Sequence, residues 1–211
     1  MALRESEKNF LALSVAPVFA TRWLLPRLKN FYAQNPEINL SVIATPDLVN
    51  FRSDPFDVAI RMGHGHWPNT ISKRLFTKRI VAACHPDLFE KNSGTFAIEE
   101  LTKQPLIHNS SMKGLWLEWM SSAGVVPPNE LSGIEVQGTA QVLEAISSGD
   151  AIGLVDLSFV GNDLDAGRLV LASEHVLSGD DGYFLTYPEA TSEQISLQRF
   201  EQWIFSEVDP E

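Results

Sequence analysis

Residues 10–44 read FLALSVAPVFATRWLLPRLKNFYAQNPEINLSVIA, and this stretch decides the fold class. Its first seven residues form an apolar run with the length and composition of a buried strand. Pro17 follows at a position where a helix can begin without losing a useful N–H, and apolar residues then recur at helical spacing as far as Gln34. Residues 38–44 alternate as a second strand. The stretch therefore predicts a β-α-β unit.

The same alternation of strands and amphipathic helices continues to the C-terminus, which predicts an α/β fold. Two successive β/α sets are joined by extended segments near residues 80–86 and 182–188. We therefore expect two Rossmann-like subdomains, the first made of residues 10–84 plus 187–211 and the second of residues 85–186. In such an architecture a small ligand binds in a cleft between the subdomains, at the carboxyl ends of the strands.

Local predictions accompany this outline. Asp47 to Arg52 are expected to form one or two helical turns. Thr139 and Ser192 are expected to cap the helices that follow them, because a side-chain oxygen there accepts a hydrogen bond from a free N–H of the first turn. Tyr183 to Tyr187 are expected to form the last strand.

Composition excludes several classes of protein. The 211 residues are 44% hydrophobic and 20% charged, which is ordinary for a globular protein and too apolar for a disordered one. No stretch of about 20 residues is free of charge and polarity, so no transmembrane helix is expected. The opening MALRESEKNF lacks the apolar core of a signal peptide. The single cysteine excludes an internal disulfide and a zinc site built on several thiolates.

The charge is negative overall and unevenly distributed. Sixteen basic and 27 acidic residues give a net charge of −11, a poor balance for the phosphate contacts that duplex DNA requires. Residues 1–105 hold 13 basic and 10 acidic residues, net +3, whereas residues 106–211 hold 3 and 17, net −14. This asymmetry either orients two subunits or two lobes against each other, or reflects solvated surfaces only.

Catalysis finds little support in the sequence. No motif of a serine hydrolase, zinc protease, P-loop or dinucleotide site is present, and no cofactor is expected. Cys84 lies in an apolar run and is expected to be a buried small hydrophobe. His64 and His66 lie in a glycine-rich loop with no carboxylate or thiolate nearby in sequence, so no metal site is expected. An enzyme that uses this histidine loop is the least supported of the three function classes considered.

The sequence supports ligand binding better than catalysis. Residues 16–19 form a strand-to-helix junction whose free N–H groups attract an anion, and Thr139, at the head of a later helix, would face the same cleft. Two such helix heads suit an anionic or zwitterionic metabolite. Arg61 ends a buried strand and either provides a counter-charge for a ligand or pairs with Asp57 or another acidic residue. Trp67 either packs on the ligand or covers its own loop.

Several segments of the chain look familiar. They are SVAPVFATRWLLPRLKNFYAQNPEINL at 14–40, FDVAIRMGHGHWPNTISKRL at 56–75, ACHPDLF at 83–89, WLEWMSSAG at 116–124, VLEAISSGDAIGLV at 142–155 and GRLV at 167–170. In this order they resemble the effector-binding domain of LysR-type transcriptional regulators, most closely the branch that includes the glycine-cleavage and beta-lactamase regulators. The resemblance covers essentially the whole chain from Phe10.

The resemblance implies a type II periplasmic-binding-protein-like fold, in which a small-molecule effector is sensed in the inter-lobe cleft. Family members carry a winged helix-turn-helix and a linker helix ahead of this domain, and neither is present in this sequence. Residues 1–9 are then the end of the linker or a tag, DNA is bound only through the missing N-terminal domain, and the protein is cytoplasmic with no membrane partner. The alternative is a periplasmic-type solute-binding protein for a small polar or zwitterionic solute, which shares the fold but requires export.

The loop residue Trp67 is one expected effector contact. Ten further contacts are carried over from the family, position by position. They are Pro17, Val18, Phe19, Arg61, Gly63, His108, Asn109, Thr139, Val155 and Asp156. Val18 stands where the branch often has a hydroxyl residue, and Asp156 stands where the family usually has proline. These departures favour an effector with an amino or other cationic group, unless Asp156 instead caps the helix that begins at Leu157.

The resemblance also implies a dimer, and a tetramer for the full-length protein. Helix 22–33 and strand 40–44 of one subunit are expected to lie against helix 140–148 of its mate, twice about a two-fold axis. The +3 and −14 halves would then meet head to tail. The expected interface residues are Trp23, Arg27, Val42, Gln141, Glu144 and Ala145.

Overall fold

The computed structural model describes residues 9–92, 94 and 96–208, and the chain divides into two compact units. Unit 1 comprises the chain up to Thr77 together with the chain from Asp180 onward, and unit 2 comprises Lys78–Gly179. Both boundaries lie seven residues before the predicted ones (77 against 84, and 179 against 186), because two long strands each contribute to both units. The segment predicted to be a linker end or tag lies, apart from Asn9, outside the described residues.

Strands and helices follow one another along the whole described chain. In chain order they are β1 (Phe10–Val15), α1 (Pro17–Phe19, Ala20–Leu24 and Leu25–Gln34), β2 (Asn39–Ala44), β3 (Val58–Gly63), β4 (Ile71–Cys84), α2 (Pro86–Lys91), α3 (Ile98–Leu101), β5 (Leu106–Asn109), α4 (Leu115–Ser122), β6 (Ile134–Val136), α5 (Thr139–Ser147), β7 (Ile152–Asp156), α6 (Gly161–Asp165), β8 (Val170–Leu171), β9 (Leu177–Tyr187) and α7 (Ile195–Glu207). The middle part of α1 is π-helical, and short 3-10 turns precede α6 and α7. Among the described residues, no helix is long and apolar enough to cross a membrane.

The sheet of unit 1 has the strand order β2-β1-β3-β9. β1 is parallel to both β2 and β3, and β3 is antiparallel to β9, with Arg61 opposite Phe184 and Met62 opposite Tyr183. Successive residues of a strand point to opposite faces of its sheet. Arg61 and Phe184 therefore lie on one face, and Met62 and Tyr183 lie on the other.

Helices α1 and α7 close an aromatic core in unit 1. Phe31 of α1 packs edge-on against Phe200 and Trp203 of α7, with ring centroids 5.7 and 5.2 Å apart. All three side chains are almost completely buried. Aromatic pairs at such distances and tilts add to the stabilisation that comes from burial alone.

In unit 2, β5 is parallel to both β6 and β7, while β4 is antiparallel to both β7 and β8. An apolar cluster forms around Trp116 and Trp119 of α4. Both indole N–H groups donate to strand carbonyls, Trp116 to Ile107 O at 2.9 Å and Trp119 to Ile80 O at 3.2 Å. The two largest side chains of this cluster are thus buried without leaving a donor unsatisfied.

Local structure differs from the sequence-based expectation at three places. No helix forms at residues 47–52, and only an isolated turn follows, in which the N–H groups of Ser53 and Asp54 donate to Asn50 O at 3.0 and 2.9 Å. The side chains of Asn50 and Asp54 accept the N–H groups of Arg52 and Asn50. Ser192 does not cap the last helix, since α7 begins at Ile195 with Gln194 before it. The last strand begins at Leu177, earlier than the predicted start at Tyr183.

Candidate functional site

Arg61 of β3 is the polar centre of unit 1. It is only 5% exposed, and its Nη2 donates to Ser14 Oγ at 2.6 Å and to Asp47 O at 2.8 Å, while Nη1 donates to Ile60 O at 3.1 Å. Its Nε is buried and has no hydrogen-bond partner among the described residues. Asp57, the alternative partner, accepts from Ala12 N at 2.8 Å instead. The predicted Arg61–Asp57 pair is therefore not formed.

The acceptors around Arg61 are uncharged. No carboxylate of the described residues forms an ion pair with its guanidinium, and the Asp47 carboxylate accepts a hydrogen bond from Thr45 Oγ1. Burial lowers the pKa of Arg61 from its usual value, and the negative charge of Asp47 partly opposes that shift. Because even a lowered arginine pKa leaves the group protonated, unit 1 buries a positive charge that has no direct counter-ion within the part of the chain that the structure describes.

Trp67 both covers its loop and lines a cavity. Its ring packs edge-on against Phe184, with centroids 5.8 Å apart, and a cavity of about 840 Å³ in unit 1 has both Trp67 and Arg61 in its wall. A Cβ atom at Gly63 would lie 3.1 Å from Trp67 Cζ2, so the ring can approach this strand end because the residue is glycine. Both alternatives for Trp67 thus have a structural basis.

The helix head at Pro17–Phe19 lies on the other face of the sheet. Phe19 stacks on Phe76 at 5.7 Å and packs against Tyr183 at 5.5 Å, whereas Arg61 shares its face with Phe184. Val18 and Phe19 are buried, and no side chain caps the first turn. Unit 1 therefore does not gather its predicted effector contacts at one place.

In unit 2, Asn109 at the end of β5 fixes the head of α5. Its Oδ1 accepts from Gly138 N at 3.1 Å and from Ser111 N at 3.0 Å, and its Nδ2 donates to Thr139 Oγ1 at 3.3 Å. Thr139 was expected to cap this helix, but Gly138 occupies the cap position and Thr139 is the first helical residue. The prediction of the cap is wrong by one residue, and the threonine hydroxyl serves as an acceptor for Asn109.

Asp156 ends β7 and is 3% exposed. Its Oδ1 accepts from Ser158 N at 2.9 Å, which confirms that it caps the turn beginning at Leu157. Its Oδ2 is buried and has no partner among the described residues. Burial raises the pKa of this carboxyl, while hydrogen bonds from Ser158 and from the Arg79 backbone, together with the positive charge of Arg79, act in the opposite direction.

The unit 2 contacts lie near one another at the strand ends. β5 and β7 are parallel neighbours in which Leu106 lies opposite Ile152, so their carboxyl ends, Asn109 and Asp156, meet at one edge of the sheet. Val155 precedes Asp156 and is buried. His108 Nε2 lies 3.3 Å from Ser132 O, in the wall of a separate cavity of about 370 Å³.

The groups considered for catalysis are now placed. Cys84 is fully buried, and burial raises the pKa of its thiol to about 11, which confirms the expectation of a small core residue. His64 Nδ1 lies 2.9 Å from Asp181 Oδ1, a carboxylate that sequence proximity could not reveal because the two residues are far apart in the chain. The described residues contain no group of three side chains able to hold a metal ion.

The predicted interface residues are distributed between core and surface. Trp23 is buried inside unit 1, with the guanidinium of Arg27 4.7 Å above its ring. The side chains at 42, 141, 144 and 145 are half-buried or exposed, on β2 and α5. Trp23 therefore has almost no exposed surface of its own, and the guanidinium of Arg27 covers its ring.

Several groups around Arg61 escaped the sequence analysis. Ser14 is a polar residue within an apolar strand run, a pattern that marks a side chain with a buried partner. Phe184 alternates with Tyr183 in β9, so its facing toward Trp67 follows from strand period once the pairing with β3 is known. No sequence pattern indicates that the backbone carbonyl of Asp47 accepts a hydrogen bond from Arg61.

Comparison with known proteins agrees with the geometry. The sequence model of the LysR substrate binding domain matches residues 4–209. The chain is 29% identical over 206 residues to the glycine cleavage system transcriptional activator of Escherichia coli K12. The aligned region covers 98% of this chain and 67% of that protein. It is also 29% identical over 199 residues to the carbapenem-hydrolyzing beta-lactamase transcriptional activator of Enterobacter cloacae, covering 93% of this chain and 65% of that protein.

The fold is likewise that of known effector domains. The effector domain of the transcriptional regulator AmpR of Pseudomonas aeruginosa superposes with a TM-score of 0.81 over 94% of this chain and 95% of its own, at 24% identity. These relatives are regulators and not enzymes, which also sets aside the solute-binding alternative. The chain therefore belongs to the LysR substrate-binding domain family, the domain through which LysR-type transcriptional regulators sense small-molecule effectors.

Proposed function

We propose that this domain senses a small polar effector bearing an amino or other cationic group, and so controls transcription by a cytoplasmic LysR-type regulator that contacts DNA through an N-terminal winged helix-turn-helix. The observation that supports the effector class is Asp156. Its Oδ2 is buried at a strand end and finds no hydrogen-bond partner among the described residues, and a buried acceptor of that kind is stabilised by an incoming N–H donor.

The neighbouring helix head supplies the second half of such a site. Asn109 holds Gly138 and Thr139 at the start of α5, and no side chain caps that helix. Uncapped N–H groups at the head of a helix attract negative charge. An effector with one cationic and one anionic group would satisfy both features, with Val155 and His108 as further contacts in unit 2.

A ligand screen tests the effector class. Thermal unfolding of the protein is followed with amino acids, organic acids and beta-lactam-derived peptides, since a ligand at a hundred times its dissociation constant adds about 2.7 kcal/mol of stability. We expect stabilisation by an amine-bearing compound, and loss of that response in Asp156→Asn. Thr139→Val, which retains Asp156, is the matched variant for the helix head. Stabilisation only by compounds without a cationic group, unchanged in Asp156→Asn, would contradict the proposal.

We further propose that the domain pairs in the head-to-tail manner described for the two oppositely charged halves. Arg27 on α1 and Glu144 on α5 then lie at the interface. Light scattering at micromolar concentration should give the mass of a dimer, and the charge reversal Glu144→Arg should give the mass of a monomer. The double change Arg27→Glu with Glu144→Arg should restore pairing. A monomeric wild-type protein at these concentrations would remove this part of the proposal.

A further inference from the structure

Unit 2 contains a cavity of about 370 Å³ that lies apart from the head of α5. A Cβ atom at Gly153 would lie 2.6 Å from Val142 Cγ1, so α5 covers the face of β7 toward which Gly153 points. Leu154, the next residue of β7, points to the opposite face and belongs to the apolar cluster of Trp116. Leu154 and Trp116 both line the cavity, whereas none of the described residues in its wall comes from α5. The cavity therefore lies on the α4 face of the sheet, and the helix head of the proposed effector site lies on the other face.

The buried part of the cavity wall offers little to a charged ligand. It consists mainly of the hydrophobic side chains of Ile107, Leu115, Trp116 and Leu154. The indole N–H of Trp116 already donates to Ile107 O at 2.9 Å, and the amide of Asn109 is engaged at the head of α5. A charged group brought into this space would lose its hydration and find no buried counter-charge among the described side chains.

The rim of the cavity carries no net charge from its acidic and basic side chains. Lys113 and Glu135 both line it, and both are exposed. Their opposite charges cancel, in a protein whose net charge is −11. The rim therefore adds no preference for an anion or a cation, and wall and rim together favour an uncharged ligand.

His108 supplies the cavity wall with one hydrogen-bond acceptor. Its Nε2 lies 3.3 Å from Ser132 O, and because a carbonyl oxygen only accepts, Nε2 carries the hydrogen. In the neutral imidazole Nδ1 is then an acceptor, and it has no hydrogen-bond partner among the described residues. A Cβ atom at Gly133 would lie 2.6 Å from His108 Nε2, so glycine at this position allows the segment before β6 to approach the ring. A ligand with one O–H or N–H donor would complement this acceptor.

We propose that the unit 2 cavity binds a small uncharged aromatic compound with one hydrogen-bond donor, a phenol being the simplest case. The aromatic ring lies against Trp116 and Leu131, and the hydroxyl donates to Nδ1 of His108. An apolar cavity of roughly 150 Å³ is enough for benzene, so a substituted ring fits the volume found here. The inference goes beyond the proposed function, with which it shares only His108.

NMR titration of the whole chain tests the ligand class at this place. The indole N–H signal of Trp116 reports on the cavity, because this group is fixed in its wall. The probes are 4-methylphenol, 1,4-dimethylbenzene, which has the same shape without the donor, and the charged 4-methylbenzoate. We expect the phenol to bind about three- to tenfold more tightly than the hydrocarbon, as one hydrogen bond between uncharged groups allows, and the benzoate to leave the signal unchanged. Equal affinities for phenol and hydrocarbon, a benzoate response as strong as that of the phenol, or no response to millimolar phenol would overturn the proposal.

Two variants and a matched control test the assigned contacts. His108→Phe keeps a ring but removes the acceptor, so it should lower the affinity for the phenol to that for the hydrocarbon. Leu131→Trp fills the cavity from a residue outside the helices and strands, and should weaken both ligands by tenfold or more. His64→Phe makes the same exchange at an exposed histidine of unit 1 and should change neither affinity. A phenol preference that survives in His108→Phe, or unchanged binding in Leu131→Trp, would refute the assignment.

The outcome is separable from that of the proposed function. A phenol response that persists in Asp156→Asn, together with an amine response that this variant abolishes, supports both proposals. An amine response without a phenol response refutes the cavity site and leaves the effector proposal standing. A phenol response without any amine response does the reverse.

Discussion

The two units bury opposite charges in similar ways. Unit 1 encloses the guanidinium of Arg61 and unit 2 encloses the carboxyl of Asp156, each near the carboxyl end of a strand and each at most 5% exposed. Each retains one buried polar atom without a partner among the described residues. The two buried groups differ in whether their charge can change with pH. Arginine stays charged at every accessible pH, whereas a carboxyl with a raised pKa can discharge, so only unit 2 can adjust its buried charge to the solution.

The largest effect is expected from removing the buried charge of unit 1. Arg61→Met keeps the aliphatic stem but leaves Ser14 Oγ and the carbonyls of Asp47 and Ile60 without their donor. Hydrogen bonds to charged groups contribute roughly 1.5–3 kcal/mol each, and the relief of an unpaired buried charge offsets part of that loss. We expect a net decrease of about 2–4 kcal/mol in the free energy of unfolding, measured by urea denaturation.

Arg61→Lys is the control for this experiment, since it keeps the charge without the planar donor fork and should lie between the methionine variant and wild type. A methionine variant as stable as the wild-type protein would indicate that the cost of burying the charge equals what its hydrogen bonds return. In that case Arg61 would be retained for binding and not for folding.

A pH-dependent effect is expected at the buried carboxyl of unit 2. Because the folded-state pKa of Asp156 is raised, its contribution to stability is fully present below the unfolded pKa of about 3.9 and is lost as pH rises through the folded pKa. Asp156→Asn cannot ionise and keeps an acceptor for Ser158. Its stability relative to wild type should therefore increase from pH 4 upward and then level off, by about 1.4 kcal/mol for each unit of pKa difference.

Urea unfolding at a series of pH values from 4 to 8 measures this difference directly. Asp165→Asn removes one exposed negative charge and corrects for the change in net charge. A stability difference that decreased with rising pH would show that ionised Asp156 is stabilised in the folded protein, and the contrast between the two units would then be lost.

A smaller effect is expected at Asn109. Asn109→Ala removes the acceptor of Gly138 N and Ser111 N and the donor to Thr139 Oγ1, which should lower the free energy of unfolding by about 1–2 kcal/mol. Amide exchange of Gly138 should accelerate more than that of residues in α1, because the loss is local to unit 2. Thr139→Val removes only the last of these bonds and should cost less. Equal exchange in both units would contradict a local role.

The smallest effect is expected at the surface. His64 contacts Asp181 at 2.9 Å, but its side chain is 75% exposed, and exposed pairs contribute little. His64→Ala should change the free energy of unfolding by less than about 0.5 kcal/mol in thermal or urea denaturation. A larger loss would mean that an exposed pair contributes as much to the free energy of unfolding as a buried group. Burial would then not explain why some of these variants lose more stability than others.

Local patterns in the sequence predicted most of the elements and the fold class. Pro17 and the apolar spacing after it indicated α1, and the apolar runs of β1 and β7 indicated buried strands, because period and helix-start chemistry are properties of neighbouring residues. Leu177–Gly182 form the first part of β9, although the last strand was predicted only from Tyr183. Their extended conformation depends on pairing with distant strands, which a local pattern does not contain.

The sequence pointed to candidate residues for the site but not to their arrangement. The resemblance to effector domains pointed to Arg61, Asn109 and Asp156, all of which are buried polar groups in the structure. It could not reveal that Arg61 and Phe19 lie on opposite faces of one sheet, since that follows from the register of β3 against β9. Nor could it reveal that Gly138, one residue before the predicted Thr139, occupies the N-cap position of α5.

The π-helical stretch of α1 has a consequence for how this domain tolerates insertions and deletions. The N–H of Leu25 donates to the carbonyl of Ala20, five residues earlier, so one residue more than an α-turn requires is accommodated there. Leu24 is completely buried while Leu25 is 49% exposed. Loss of a single residue between 20 and 24 would restore a regular α-helix, and the turns after it would keep the side that they now present to the core, because the wider turn already accommodates one residue more than an α-turn. Relatives that lack one residue at this place would keep both the fold and the orientation of Leu25–Gln34, so a deletion here would disturb α1 less than a deletion in its regular α-helical part.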